Sequence, residues 1–302
     1  MNTAESSGGV AVKPRDFACP QGGLVRGSRR PPGWAPPGPV PPGPGQDDDL
    51  WPATGEDLCF LTGEWRIFQR LNGHRYSLDD MVTAWYAIQA VQGREVRRAA
   101  DIGCGIGSVL MMVAWALPEV PMVGVEAQEL SMGLARRSLR YNGAASRVEV
   151  RWGDLRDPAM LPEGRVFDLV TGTPPYIPPG DGVMSEKEQC APCRFELRGG
   201  VEDYCATAAR VLAPQGRFVV CHAAGQRQRV LDAGKLAGLS TLRFRDVIPR
   251  DGRNPLLAVF VMAHADEVTT PTVEEPPLKV RDPSGARTPE YLDIREAMGM
   301  PP

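Results

Sequence analysis

Three acids and a glycine loop, each following an apolar run, are the residues of this chain whose types and spacing could do chemistry. "DIGCGIGS" places Gly103, Gly105 and Gly107 just after Asp101. Glycines there allow a tight strand-to-helix turn and the close approach of a ligand. "VGVEA" holds Glu126 and "WGDLRD" holds Asp154. Taken singly, the loop is an ordinary tight turn and each acid a solvated carboxylate. Taken in order, they are acceptors of three kinds: Asp101 for a cationic ligand's ammonium group, Glu126 for two ribose hydroxyls, Asp154 for an adenine amine. The pyrophosphate fingerprint is GxGxxG, and here the third glycine comes one residue early behind an acid that would repel a pyrophosphate. A second constellation follows "FDLVT": Gly172, then Thr173, Pro174, Pro175 and Tyr176 in "GTPPYIPPG". Prolines and an aromatic at the mouth of a strand make either a stiff turn or the floor of a site.

The elements that must position these residues alternate. "RRAADIG", "PMVGVEA", "RVEVRW", "FDLVTG", "GRFVVCH" and "LLAVFVM" have the apolar content of strands. "SVLMMVAWAL", "ELSMGLARRSLRYN", "VEDYCATAARVL" and "QRQRVLDAGKLAG" read as helices between them. Such alternation predicts an α/β fold with a parallel sheet and right-handed crossovers. In open sheets of this kind ligands bind at the carboxyl ends of the strands, where both constellations fall. Upstream, Ser77 caps an expected helix "LDDMVTAWYAIQAV", with Asp79 and Asp80 in its first turn.

The chain has 302 residues, 42% of them hydrophobic and 24% charged, enough for one large domain with a sizeable core. A net charge of -3 excludes a uniformly basic nucleic-acid binder, so such contact requires a local patch. Two arginine groups qualify: Arg243, Arg245, Arg250 and Arg253 in "RFRDVIPRDGR", and Arg136, Arg137 and Arg140 on a helix; the bland reading of each is a solvated face. No apolar run is long enough to span a membrane. The seven cysteines form no paired framework, which fits a reducing, cytoplasmic compartment. Cys190 and Cys193 make a lone CxxC without a second ligand pair, so no metal is expected. Residues 1–50, with "RRPPGWAPPGPVPPGPGQDDD", read as a disordered proline- and glycine-rich tail, and its few acids and several arginines leave organelle targeting open. Residues 51–264 form the expected domain, and residues 265–302 an extension with a short helix.

Acid-x-Gly-x-Gly-x-Gly, an acid ending the next strand and Gly-Asp after the third resemble the S-adenosylmethionine pocket of class I methyltransferases. That resemblance implies a Rossmann-like, mostly parallel seven-stranded sheet with helices on both faces, and S-adenosylmethionine as methyl donor. It puts Thr173–Tyr176 at the reactive centre. "TPPY" is similar to the Asn-Pro-Pro-Tyr motif of enzymes that methylate planar nitrogens, with Thr173 in place of asparagine. An amine conjugated to a ring or carbonyl is a poor nucleophile, so the motif's side-chain oxygen and first proline carbonyl accept its N–H bonds and hold it in line with the methyl group. Tyr176 then offers a face for a base.

"FQRLNGHRYSLDDMVTAWYA" and "AGLSTLRFRDVIPRDGRNPLLAVFVM" resemble segments of bacterial tRNA adenine-N6 methyltransferases acting next to the anticodon of a valine tRNA, over residues 60–263. In that family Tyr76 and Asp79 would help close over the donor, and the partner would be a nucleic acid, tRNA above all. The other readings are a release-factor glutamine methyltransferase, whose motif "PPYIPP" also resembles, and a donor-binding module without turnover.

Overall fold

A computed structural model describes residues 17–27, 30–162, 164–177 and 195–302. Cys190, Cys193 and the Pro178–Gly180 end of the proline loop lie outside the described residues.

Strand β5 (Ala99–Ile102) lies inside the main sheet, and all four of its residues are buried. Burial on both faces is what a parallel sheet covered by helices requires. Around it the order is β7 (Val148–Trp152), β6 (Met122–Glu126), β5, β8 (Phe167–Gly172), β9 (Leu212–Ala223), β11 (Leu257–His264), β10 (Leu239–Ile248) and β12 (Val273–Lys279). All neighbouring pairs are parallel except the two that β11 makes. Successive residues of a strand serve opposite faces. Ala99 and Leu169 join a core with α1 (Leu78–Ala90), α2 (Ser108–Ala116) and α3 (Glu129–Tyr141). Ala100 and Val170 join a second core with α4 (Val201–Val211) and α5 (Arg227–Leu236).

Three features differ from the sequence expectation. The sheet has eight strands rather than seven, because β12 from the C-terminal extension pairs with β10. Pro276 and Pro277 hide this strand, since proline cannot donate to a ladder; an edge position tolerates them. A second, four-stranded sheet of β1 (Phe17–Ala18), β2 (Leu24–Val25), β3 (Glu56–Thr62) and β4 (Trp65–Arg70) precedes the main one. It docks on α3, where Ser138 Oγ accepts from Phe68 N at 3.0 Å and Asn142 Oδ1 from Arg66 N at 2.9 Å. Residues 30–50 lie along the domain instead of projecting as a solvated tail. Gly43 N donates to Tyr141 O at 3.1 Å, and Arg140 pairs with Asp47 and Asp49. A Cβ on Gly38 would sit 2.4 Å from Trp115 Nε1, so this stretch packs too tightly for a side chain there. The chain end supplies α6 (Pro289–Ala297), the short helix of the extension.

Candidate active site

The parallel order brings the carboxyl ends of β5, β6, β7 and β8 to one edge. There they border a cleft of about 350 Å³, walled by Gly103, Gly105, Glu126, Asp154, Asp79 and Thr173–Tyr176. That volume lies at the small end of ligand sites. The turn from β5 into α2 runs through Gly103, Gly105 and Gly107 at φ of +67°, +57° and +83°. Only glycine enters that region freely. Gly103 has a further reason, as a Cβ there would lie 1.9 Å from Tyr204 Oη.

Glu126 fastens this turn. Its Oε2 accepts from Gly105 N at 2.8 Å and its Oε1 from Gln128 N at 2.7 Å. A carboxylate has about four acceptor positions, so capacity for ribose hydroxyls remains. Burial raises its pKa against those bonds. Asp154 borders the cleft while accepting from Arg156 Nε at 2.9 Å, and this pairing lowers its pKa and keeps it ionised.

Asp101 stands behind the glycine loop and is not part of the cleft wall. Its Oδ1 accepts from Thr171 Oγ1 at 2.8 Å, and its Oδ2 is buried without a partner among the described residues. Burial pushes its pKa up to about 7. Tyr76, expected to help close over a donor, is not among the residues that line this cleft. Its hydroxyl donates to Phe60 O at 3.0 Å, and it borders a second cavity beside this cleft. Packing of the unforeseen β3–β4 hairpin draws it there.

Tyr176 is held from three sides. Its hydroxyl donates to Asp79 Oδ2 at 3.2 Å, and its carbonyl accepts from Gln226 Nε2 at 2.6 Å. Its ring meets His222 edge-on, with centroids 5.5 Å apart. Burial, then the charge of Asp79, raises its pKa, so the phenol stays protonated. Among the described residues, neither the Thr173 hydroxyl nor the Pro174 carbonyl has a hydrogen-bond partner.

Sequence reasoning missed two groups here. Asp80 joins α1 to α2, accepting from Ser77 N at 2.7 Å and Ser108 Oγ at 2.6 Å. Burial, reinforced by Asp79, pushes its pKa up to about 8. The S-x-x-D spacing of Ser77 and Asp80 was its signal. His222 is fully buried, and neither ring nitrogen has a partner among the described residues. Burial, then Arg229, takes it down to about 4. A single histidine in an apolar strand gives no such signal.

The expected RNA-binding arginines divide. Arg245 pairs with Glu290 at 2.6 Å, and Arg243 lies 3.7 Å from Glu275. These two are matched by acids beside β12. Arg250 and Arg253 stand exposed in the turn between β10 and β11. Arg136, Arg137 and Arg140 are engaged within the fold: Arg136 bonds Val150 O, and the other two anchor residues 47–56. Among the described residues, no helix is long and apolar enough to cross a membrane, and no three His, Cys, Asp or Glu side chains cluster as a metal site.

A family described as "Methyltransferase small domain" matches residues 80–185, from α1 through the proline loop. The chain carries a methyltransferase small domain. It is a class I methyltransferase, with S-adenosylmethionine as methyl donor. The cleft suits that donor: a loop of alternating glycines, Glu126 on the wall and a carboxylate oxygen on Asp101 behind it without a partner among the described residues. The chain is 23% identical over 227 residues to a tRNA1(Val) (adenine(37)-N6)-methyltransferase of Porphyromonas gingivalis, covering 74% of this chain and 87% of that one. It is 26% identical over 210 residues to a release factor glutamine methyltransferase of Bordetella pertussis, covering 63% and 73%. A predicted O-methyltransferase of Agrobacterium tumefaciens shares the fold at a TM-score of 0.56 and 22% identity, covering 74% of this chain and 98% of that one.

Proposed function

We propose that this methyltransferase acts on the exocyclic amine of adenine in RNA, with tRNA as the first candidate. The observation that carries the reading is the Thr173–Tyr176 loop. Its two acceptors are without partners among the described residues and border the same cleft as the glycine loop. In this reading Thr173 Oγ1 and the Pro174 carbonyl accept the two amine N–H bonds, which orients the nitrogen and favours the positive charge that develops on it. Pro174 and Pro175 hold the backbone so that the carbonyl need not reorganise. Tyr176, fixed through Asp79, Gln226 and His222, is the platform for the base. The bound donor supplies the electrophilic methyl group, with Glu126 and Asp154 on the cleft wall as the acceptors that hold it and the Asp101 carboxylate behind the loop as the charge that favours its ammonium group.

The likeness to a tRNA adenine methyltransferase supports the RNA acceptor. The likeness to a release factor glutamine methyltransferase supports a second reading, because a glutamine amide is also a planar nitrogen that two such acceptors would hold. A residue series at Thr173 tests the shared chemistry. Thr173→Asn retains an acceptor and should keep or raise the turnover rate, whereas Thr173→Val keeps the shape without it and should slow turnover. Equal rates for all three would show that this side chain does not touch the reacting nitrogen.

A further inference from the structure

Beside the donor cleft lies a larger cavity of about 750 Å³, lined by Arg26, Arg30, Arg75, Arg287 and Arg295, with no Asp or Glu side chain on its wall among the described residues. Arg75 and Ser77 line both spaces, so the two adjoin. Three of its arginines are matched. Asp57, fully buried, takes Arg26 at 2.8 Å and Arg75 at 2.9 Å, and Glu64 takes Arg30 at 2.6 Å. Two are not. Arg295 spends Nε and Nη2 on the Pro301 carbonyl, at 3.0 and 2.7 Å, and has no carboxylate partner among the described residues. The Arg287 guanidinium has neither a hydrogen bond nor an ion pair there. Burial, then Arg295 and Arg281, lowers the pKa of Arg287, so like charges crowd this wall. Among the described residues these five guanidinium groups meet the side-chain carboxylates of Asp57 and Glu64, an excess of positive charge that attracts an anion.

The surroundings fit a nucleotide chain. Phe60 and Tyr291 also line the cavity, and Arg30 lies 4.1 Å above the Phe60 ring. Guanidinium groups present paired donors that match phosphate oxygens. The cavity is built largely by β3, residues 71–78 and α6, outside the matched residues 80–185. Arg281, which donates to Gly285 O at 2.7 Å, and Arg250, packed on Gly285, extend the positive rim towards the β10–β11 turn.

The geometry points to a phosphate-binding site: the cavity holds backbone phosphates next to the target base of an RNA acceptor, with Arg287 and Arg295 as the receiving groups. This rests on the RNA reading above. The test is Arg287→Glu in the full chain, read by filter binding of unfractionated tRNA between 50 and 200 mM salt. Calorimetry with S-adenosylmethionine serves as the control for an intact donor site. Losing one phosphate contact on single-stranded or duplex RNA lowers the salt slope by about 0.7 to 0.9, so the wild-type advantage should narrow about threefold over that range. Arg287→Lys should restore much of the slope, and donor affinity should not move. Unchanged tRNA affinity and slope in Arg287→Glu, with wild-type RNA methylation intact, overturns the cavity's role alone. Transfer of label by the wild type to protein and never to RNA overturns the RNA reading and this inference with it.

Discussion

Tyr176 separates two contributions that a single truncation would merge. Tyr176→Phe keeps the ring and its edge contact with His222 but removes the hydroxyl that donates to Asp79 Oδ2 at 3.2 Å. A hydrogen bond to a charged acceptor is worth about 1.5–3 kcal/mol, and this one is long and only partly buried, which puts it near the lower end. The phenylalanine variant should therefore lose about tenfold in kcat/KM through a less firmly held ring. Tyr176→Ala removes the platform as well. Base stacking is worth about 1–3 kcal/mol, so a further loss of roughly 5- to 150-fold should follow, carried mainly by RNA affinity. The assay is steady-state transfer from labelled S-adenosylmethionine to RNA, beside calorimetry of donor binding to each variant. Donor affinity should be the same in all three proteins. If alanine and phenylalanine both match the wild type, Tyr176 is only a packing residue. If alanine abolishes donor binding, the ring belongs to the donor's side of the cleft.

The remaining expectations concern the buried acids and the glycine loop. Asp101 and Asp80 have folded pKa values raised to about 7 and about 8, so their contribution to stability is full below about pH 4 and is lost as pH rises through 7 and 8; urea unfolding across that range should show the decline, and Asp101→Asn or Asp80→Asn should flatten it. Donor affinity should rise as pH passes 7, because the Asp101 carboxylate behind the loop attracts an ammonium group only when ionised, and Asp101→Asn should remove that rise; a pH-independent wild type would contradict the assignment. His222 behaves oppositely, its folded pKa of about 4 making stability fall as pH drops below 6.5, and His222→Phe should be at least as stable at pH 5 because it leaves no buried nitrogen unpaired. Gly103→Ala should cost more than about 1 kcal/mol in urea unfolding, since φ is +67° and the new Cβ would press on Tyr204.

The sequence carried the shared half of this architecture and little of the rest. Gly103–Gly107, Glu126, Asp154 and Thr173–Tyr176 were readable because each ends an apolar strand, and a parallel sheet gathers strand ends at one edge. Nothing local announced that Asp101 would sit behind the loop or that Tyr76 would turn away. Both depend on tertiary packing, the second on the β3–β4 hairpin around Gly63. That hairpin was missed because "EDLCFLTGEWRIFQR" is apolar without clean alternation. Strand β12 was masked by Pro276 and Pro277. The arginine cavity could not be foreseen at all, since Arg75 and Arg287 lie more than two hundred residues apart and meet only when α6 returns to the hairpin.

The account's central claim is that this cleft methylates an adenine amine. Its most direct test incubates the full chain with labelled S-adenosylmethionine and separate pools of tRNA, rRNA, DNA and protein, then digests each labelled pool to nucleosides or amino acids. The account predicts label in RNA, recovered as N6-methyladenosine and reduced by Tyr176→Ala. Label confined to protein, recovered as N5-methylglutamine, would contradict it.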